Sequence, residues 1–95
     1  MTNIKVNEYF NGKVKSLAVT TSEGQATVGV IAPGEYEFGT STQEVMTVTS
    51  GELSVLLPGS STWVAYSAGK SFTVQGHQKF KVKATSDVSY LCLYS

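Results

Sequence analysis

The chain contains one histidine, His77, in the segment FTVQGHQKF. It follows Gly76, in a turn between two runs in which apolar and polar residues alternate. An imidazole at such a position can transfer a proton near neutral pH or bind a metal ion. The same residue can equally be a polar turn residue with no chemical role. The residues around it leave both interpretations open.

Among the carboxylates of the chain, Glu44 is the one whose position is least easily explained by exposure to solvent. Met46 and Val48 follow it at even steps in the run EVMTVTS. Residues at even steps along a strand share one face, so this carboxylate is predicted to lie on an apolar face. A buried acid needs a reason, such as stabilising positive charge during a reaction. The alternative is a glutamate in solvent at the end of a strand.

Strands must position these side chains, because apolar residues recur with a period of two along most of the chain. Tyr90, Cys92 and Tyr94, for example, alternate with Leu91 and Leu93. Turn signals such as Pro-Gly and Ser-Gly recur about every ten residues, and no segment has a helical period. The pattern predicts an all-β sandwich or barrel of about eight to ten short strands, in a single domain over residues 1–95. A sheet edge without a neighbouring strand would favour a homodimer, because its free backbone groups can pair with a second copy.

The composition excludes several classes of protein. Seven basic residues balance seven acidic ones, which argues against a protein that binds nucleic acid through an excess of positive charge. No run approaches the roughly 20 apolar residues of a membrane span. The first residues lack the apolar segment of a signal peptide, and a single cysteine, Cys92, fits a reducing compartment. The expected location is the cytoplasm.

Two segments resemble the cupin family. Glu44, six further residues and Gly51 match the E-x6-G half of the first cupin motif, in which Thr40 and Thr42 stand near the histidine positions. Gly69, KSFTV and the Gly-His step resemble the start of the second motif. The resemblance implies a double-sheet jelly roll, that is, a double-stranded β-helix barrel. A cupin metal site commonly takes three histidines and a glutamate, so a chain with one histidine is not expected to need a metal.

A closer resemblance runs almost from end to end. NEYFNGKVKS, TVGVIAPGEYEFGTSTQEVMTVTSGELSVLLPG, the Gly-His turn and SYLCLYS follow one another as in the small cupins called pyrimidine/purine nucleoside phosphorylases. The resemblance implies transfer of a pentosyl group to phosphate, in which a purine or pyrimidine nucleoside gives free base and ribose 1-phosphate. Phosphate is then a co-substrate, and no cofactor is needed.

Phosphorolysis makes three demands that suggest site residues. The sugar develops positive charge, which a carboxylate such as Glu44 stabilises, and the departing base needs a proton, for which His77 is the candidate. Phosphate needs cations or N–H groups, and an aromatic ring helps to hold the base. The candidates for substrate binding are the lysines and aromatic residues Lys13, Lys79, Tyr36 and Phe38.

Two other functions fit the residues. One is a metal-dependent cupin enzyme, against which the missing histidines count. The other is a cupin that binds a small ligand without catalysis, and nothing in the residues counts strongly against it. Activity in the presence of a chelator separates the first from a phosphorylase, and binding without turnover identifies the second.

Overall fold

Ten β-strands make up the computed structural model, which describes residues 3–95. The predicted domain also includes residues 1 and 2, which lie outside the described residues. The strands are β1 Val6–Tyr9, β2 Val14–Thr21, β3 Gly24–Ile31, β4 Gly34–Gly39, β5 Glu44–Ser50, β6 Glu52–Leu56, β7 Val64–Ser67, β8 Ser71–Val74, β9 Lys79–Ala84 and β10 Val88–Tyr94. The all-β prediction is confirmed. A search of the described residues for a helix that could span a membrane found none.

The strands form two antiparallel sheets. One sheet has six strands in the order β1-β2-β3-β10-β5-β8, and the other has four in the order β4-β9-β6-β7. Strands far apart in the chain are therefore neighbours, since β10 lies between β3 and β5. This arrangement brings the last strand of the chain into the middle of the larger sheet. The side chains of β10 are consequently well placed to line the space between the sheets.

The core lies between the facing sides of the two sheets. Alternate residues of most strands are buried there, as the two-residue period predicts. In β9, for example, Phe80 and Val82 are buried, whereas Lys79, Lys81 and Lys83 are exposed. Burial of these apolar side chains supplies the main stabilisation of the domain, at about 25 cal/mol for each Å² removed from water.

The E-x6-G spacing has a structural explanation at its glycine. Gly51 joins β5 to β6 with a φ of 81°, a conformation that side chains disfavour. A Cβ atom at this position would lie 2.7 Å from the carbonyl oxygen of Asp87. The hairpin therefore requires glycine on two independent grounds. Two residues before it, Thr49 forms a β-bulge: Ser50 pairs with Ser89 and Val48 pairs with Tyr90, so Thr49 has no register partner in β10.

Candidate functional site

A cavity of about 250 Å³ opens between the two sheets at one end of the sandwich. This volume is close to the lower limit of typical small-ligand pockets. The larger sheet contributes Glu44, Met46 and three side chains of β10, and the smaller sheet contributes Phe38 and Phe80. The complete wall consists of Tyr9, Phe10, Ser16, Ile31, Glu37, Phe38, Gly39, Glu44, Met46, Phe80, Tyr90, Cys92 and Tyr94.

Glu44 is the carboxylate in the interior part of this wall. It begins β5 and pairs with Tyr94, so the backbone of β10 holds it in register. The Sγ atom of Cys92 donates a hydrogen bond to its Oε1 at 3.5 Å. Burial raises the pKa of Glu44 above 4.5, and the Cys92 hydrogen bond offsets part of that rise. The period of β5 predicted this carboxyl group on an apolar face, and the rise of its pKa by burial agrees with that position.

The groups around Glu44 are hydrogen-bond donors that keep their protons. Burial, followed by the nearby Glu44 charge, raises the pKa of Cys92 to about 12, so its thiol is protonated and not nucleophilic at neutral pH. Burial also raises the pKa of Tyr90 to about 12 and raises that of Tyr94. The Tyr94 hydroxyl lies 2.9 Å from Oγ1 of Thr27. Tyr90, Cys92 and Tyr94 together form the floor of the cavity. The floor thus offers neutral thiol and phenol groups.

Tyr90 can occupy the cavity floor only because its neighbour in β3 is glycine. Gly29 pairs with Tyr90, and a Cβ atom on Gly29 would lie 2.6 Å from the ring carbon Cε2. That distance is far shorter than a van der Waals contact, so any side chain at this position would displace the ring. Glycine at position 29 is therefore required for the Tyr90 ring to line the cavity.

Aromatic rings form the opposite side of the cavity. Phe38 is surrounded by three of them, with centroid distances of 5.5 Å to Phe10, 5.8 Å to Phe80 and 6.4 Å to Tyr9. The rings of Phe10 and Tyr9 stand almost perpendicular to Phe38, an arrangement that aromatic pairs favour. The wall can therefore accept a flat, apolar ring next to a carboxylate.

Two of the six predicted site residues, Glu44 and Phe38, line this cavity together. Tyr36 is buried beside it, and its hydroxyl donates to the carbonyl oxygens of Ala32 and Pro33 at 2.9 and 3.0 Å. Its ring contacts that of Phe10 at a centroid distance of 4.9 Å. Tyr36 thus packs behind a wall residue, and its direct contact with substrate stays a prediction.

His77 and Lys79 lie outside the wall, beside its Gly39 end. Both side chains are exposed. The backbone N–H of His77 donates to Thr40 at 2.9 Å, and Lys79 pairs with Gly39. His77 has a φ of 59°, so it occupies a left-handed turn position as well as being a candidate proton donor. Its catalytic role stays a prediction.

Lys13 also lies outside the wall, in the connection between β1 and β2 that follows Phe10. Its backbone N–H donates to the carbonyl oxygen of Phe10 at 3.2 Å, and its side chain is exposed. Among the wall residues there are two carboxylates, Glu37 and Glu44, and no lysine, arginine or histidine. A phosphate ion at this cavity would therefore need cations from the rim. The predicted binding roles of Lys13 and Lys79 are consistent with that need and stay predictions.

Sequence reasoning did not assign the floor of the cavity to the site. The alternation in SYLCLYS placed Tyr90, Cys92 and Tyr94 on one face, but no feature of a single strand shows what that face contacts. Tyr9 and Phe10 were also missed, since they belong to the first strand and its turn. The available signal was the cluster of aromatic residues in EYF and SYLCLYS, at opposite ends of the chain.

The donor atoms near the cupin metal position do not form a metal site. Within residues 3–95, no three side chains of His, Cys, Asp or Glu are grouped closely enough to hold an ion. Glu44 has Met46, Tyr90 and a protonated Cys92 nearby, which is a poor donor set for the metals that cupins bind. The expectation that no metal is needed stays a prediction about activity.

Comparisons with known proteins agree with this geometry. A family model described as pyrimidine/purine nucleoside phosphorylase matches residues 4–94. A pyrimidine/purine nucleoside phosphorylase of Alcanivorax borkumensis is 58% identical over 90 residues, which are 95% of this chain and 96% of that protein.

Solved structures give the same result for the fold. A protein of unknown function from Vibrio parahaemolyticus is 44% identical, superposes with a TM-score of 0.91, and is aligned over 96% of this chain and 97% of its own. An RmlC-like cupin from Shewanella frigidimarina, 23% identical, superposes with a TM-score of 0.76 over 99% of this chain and 83% of its own. The predicted cupin jelly roll is confirmed, and the chain belongs to the pyrimidine/purine nucleoside phosphorylase family.

Proposed function

We propose that this protein cleaves purine and pyrimidine nucleosides with phosphate, giving free base and ribose 1-phosphate. The observation that carries the proposal is the cavity, in which a partly buried carboxylate faces a group of aromatic rings. A nucleoside has the matching parts, since its base is a flat aromatic ring whose faces can stack and its ribose carries hydroxyl groups. Family membership along almost the whole chain supports the same reaction.

In the proposed reaction a phosphate oxygen forms a bond to the anomeric carbon of the ribose. The bond between that carbon and the base nitrogen breaks, and the base leaves with the electron pair and takes up a proton. The sugar carries partial positive charge while both bonds are long. Glu44 stabilises that charge, because a carboxylate held in a partly buried site interacts with it more strongly than in water. Phe38 packs against the base.

The rim residues complete the proposed machinery. Lys79 and Lys13 bind phosphate from outside the wall, since the described wall contains no cationic side chain. His77 donates the proton to the leaving base from the turn next to Thr40. Tyr36 holds the base from behind Phe10, through the ring contact between the two residues. Phosphate is a co-substrate in this scheme, and no cofactor takes part.

The reaction itself is tested with the wild-type protein. Uridine, cytidine, inosine, adenosine and guanosine are incubated with and without phosphate, and free base is measured by chromatography. We expect release of base from both classes of nucleoside only when phosphate is present, and at the same rate in EDTA. Release that is independent of phosphate would indicate a hydrolase, release that EDTA abolishes would indicate a metal enzyme, and binding without release would indicate a non-catalytic cupin.

The rim assignments have their own test. Lys79→Ala and Lys13→Ala are expected to raise the KM for phosphate about tenfold or more while leaving the KM for nucleoside unchanged, because a lost charged hydrogen bond weakens binding by that amount. His77→Asn keeps the left-handed turn and is expected to lower kcat about 100-fold through loss of the proton donor. Lys70→Ala, an exposed lysine in the β7–β8 turn, is the control. Unchanged kinetics in the variants would leave these three residues without a role in the reaction.

We also propose that the protein is a cytoplasmic homodimer. The outer side of β1, β2 and β3 carries large apolar side chains that are exposed, aligned in rows such as Val6, Leu17 and Val28. The complete set is Ile4, Val6, Leu17, Val19, Val28 and Val30. A patch of this kind is typical of a surface that another protein covers, and a second copy is the proposed partner. The free thiol of Cys92 fits a reducing compartment.

The mass in solution tests the dimer. Light scattering is expected to give twice the chain mass of 10.1 kDa. Val28→Lys places a charge in the middle of the proposed interface and is expected to give the mass of one chain. Val64→Lys, at a residue that is equally exposed but lies in the smaller sheet, is expected to leave the mass unchanged. A monomeric wild-type protein would contradict the proposal.

A further inference from the structure

Phe10 violates two local preferences at once. It lies in the connection between β1 and β2 with a φ of 53°, followed by Asn11 at 57° and Gly12 at 84°. Left-handed positions favour glycine and asparagine, and a bulky aromatic residue there is an outlier. Its side chain is also 42% exposed, although a phenyl ring is more stable in a core. Neither the turn nor the core explains why phenylalanine stands here.

The turn nevertheless holds the ring in a defined place. The N–H of Gly12 donates to the carbonyl oxygen of Tyr9 at 3.1 Å, and that of Lys13 donates to Phe10 at 3.2 Å. These hydrogen bonds close the tight turn around Phe10. Inside the molecule, its ring packs on Tyr36 at 4.9 Å and stands perpendicular to Phe38 at 5.5 Å. The ring therefore has protein on one side and is open on another.

The open part of the ring belongs to the mouth of the cavity. Phe10 and Tyr9 line the cavity together with Glu44, and both are among the exposed large hydrophobic residues. A strained backbone that holds an exposed side chain at a pocket is a recurrent feature of binding sites. A free aromatic face beside a carboxylate would attract a flat ring that is attached to a hydroxylated group.

We propose that Phe10 is a substrate-binding residue that stacks on the base of the nucleoside at the mouth of the cavity. The inference rests on the proposed function. Stacking depends on the flat face that every base has, and it does not depend on the hydrogen-bonding edge that distinguishes bases. A stacking residue at an open mouth accepts the two-ring purines as readily as the one-ring pyrimidines. Acceptance of both purine and pyrimidine nucleosides thus follows from the position in which the β1–β2 turn holds the Phe10 ring.

The decisive variant is Phe10→Asn, because asparagine suits the left-handed position. We expect the KM for uridine and for inosine to rise together by about 5- to 100-fold, the range that loss of one base stack produces. The expected kcat and the KM for phosphate are unchanged, and the melting temperature changes little, because relief of the backbone strain offsets the loss of the ring contacts with Tyr36 and Phe38. Phe10→Tyr keeps the ring and should keep both nucleoside KM values within about twofold of wild type.

Two results would overturn the inference. Unchanged nucleoside KM values in Phe10→Asn would mean that the ring only fills space. A lower melting temperature with kcat and both KM values changed together would mean a structural role.

If the wild-type protein releases no base, the proposed function fails, and equilibrium binding of uridine and inosine followed by NMR then tests the stack alone. Binding that Phe10→Asn weakens supports the stack. Binding that the variant retains, or no binding by the wild-type protein, overturns it.

Discussion

Replacing Glu44 by glutamine should lower phosphate-dependent release of base about 10²- to 10³-fold, the usual cost of removing one group that stabilises transition-state charge. Glutamine has the same shape and can still accept the hydrogen bond of Cys92, so the cavity is preserved. Only the negative charge is lost. The nucleoside KM should change little, because the charge on the sugar develops after the nucleoside has bound.

The same substitution should make the protein more stable at neutral pH. Burial raises the pKa of Glu44 from 4.5, so the folded protein binds this proton more tightly than the unfolded chain does. Stability therefore falls as the pH rises from 4.5 to the higher pKa of the folded state, and the loss persists at higher pH. Glutamine does not ionise. The melting temperature of Glu44→Gln should thus exceed that of wild type at pH 7, and the difference should disappear below pH 4.5.

Single-turnover kinetics and thermal unfolding at several pH values measure the two effects. Glu52→Gln, at an exposed glutamate in β6, is the control and should change neither. A variant that loses activity and stability together would show that Glu44 serves the fold. A variant that keeps full activity would remove Glu44 from the mechanism.

Replacing Gly29 by alanine should destabilise the fold by about 1–3 kcal/mol, the typical cost of forcing an extra group into a packed site. For a domain of this size that corresponds to a fall in melting temperature of about 4–24 °C. The new Cβ atom would overlap the Tyr90 ring, which must move from its position on the cavity floor. Activity should fall as well, because Tyr90 lines the cavity and a displaced ring changes its shape.

A double-mutant cycle tests this explanation. If the clash with Tyr90 is the cause, alanine at position 29 should cost much less in a Tyr90→Ala background than in wild type, with a coupling of about 1–3 kcal/mol. Gly39→Ala is the matched control, since its Cβ atom would approach only the Gln78 carbonyl oxygen, at 3.9 Å. Additive effects in the cycle would mean that the loss of stability in Gly29→Ala does not come from contact with Tyr90.

Alternation along single strands was enough to predict the local part of this architecture. The run after Glu44 predicted a carboxylate on an inward face, and in the structure Glu44 lies in the cavity wall. The spacing of Tyr90, Cys92 and Tyr94 predicted a shared face, which is the cavity floor. Both inferences depend only on the two-residue period, a property of each strand by itself.

The pairing of distant strands could not be inferred in the same way. Glu44 and Cys92 are 48 positions apart in the chain and meet because β5 and β10 are neighbours. Many registers satisfy the period of each strand equally well. The β-bulge at Thr49, the space left by Gly29 and the order of strands in the sheet select one of them. His77 illustrates the same limit, because a turn residue can face a cavity or solvent without any change in its local pattern.

The amino-acid sequence by itself determined the strand composition, favoured an inward orientation of Glu44 and, through its resemblance to a family, indicated the class of reaction. The tertiary structure decided which groups surround that carboxylate: a protonated thiol, two phenols and a wall of aromatic rings drawn from β1, the turn after it, β4 and β9. The physical reason is that alternation is set by backbone geometry within a strand. The composition of a cavity is set by hydrogen-bonded register and packing between strands that are remote in the chain.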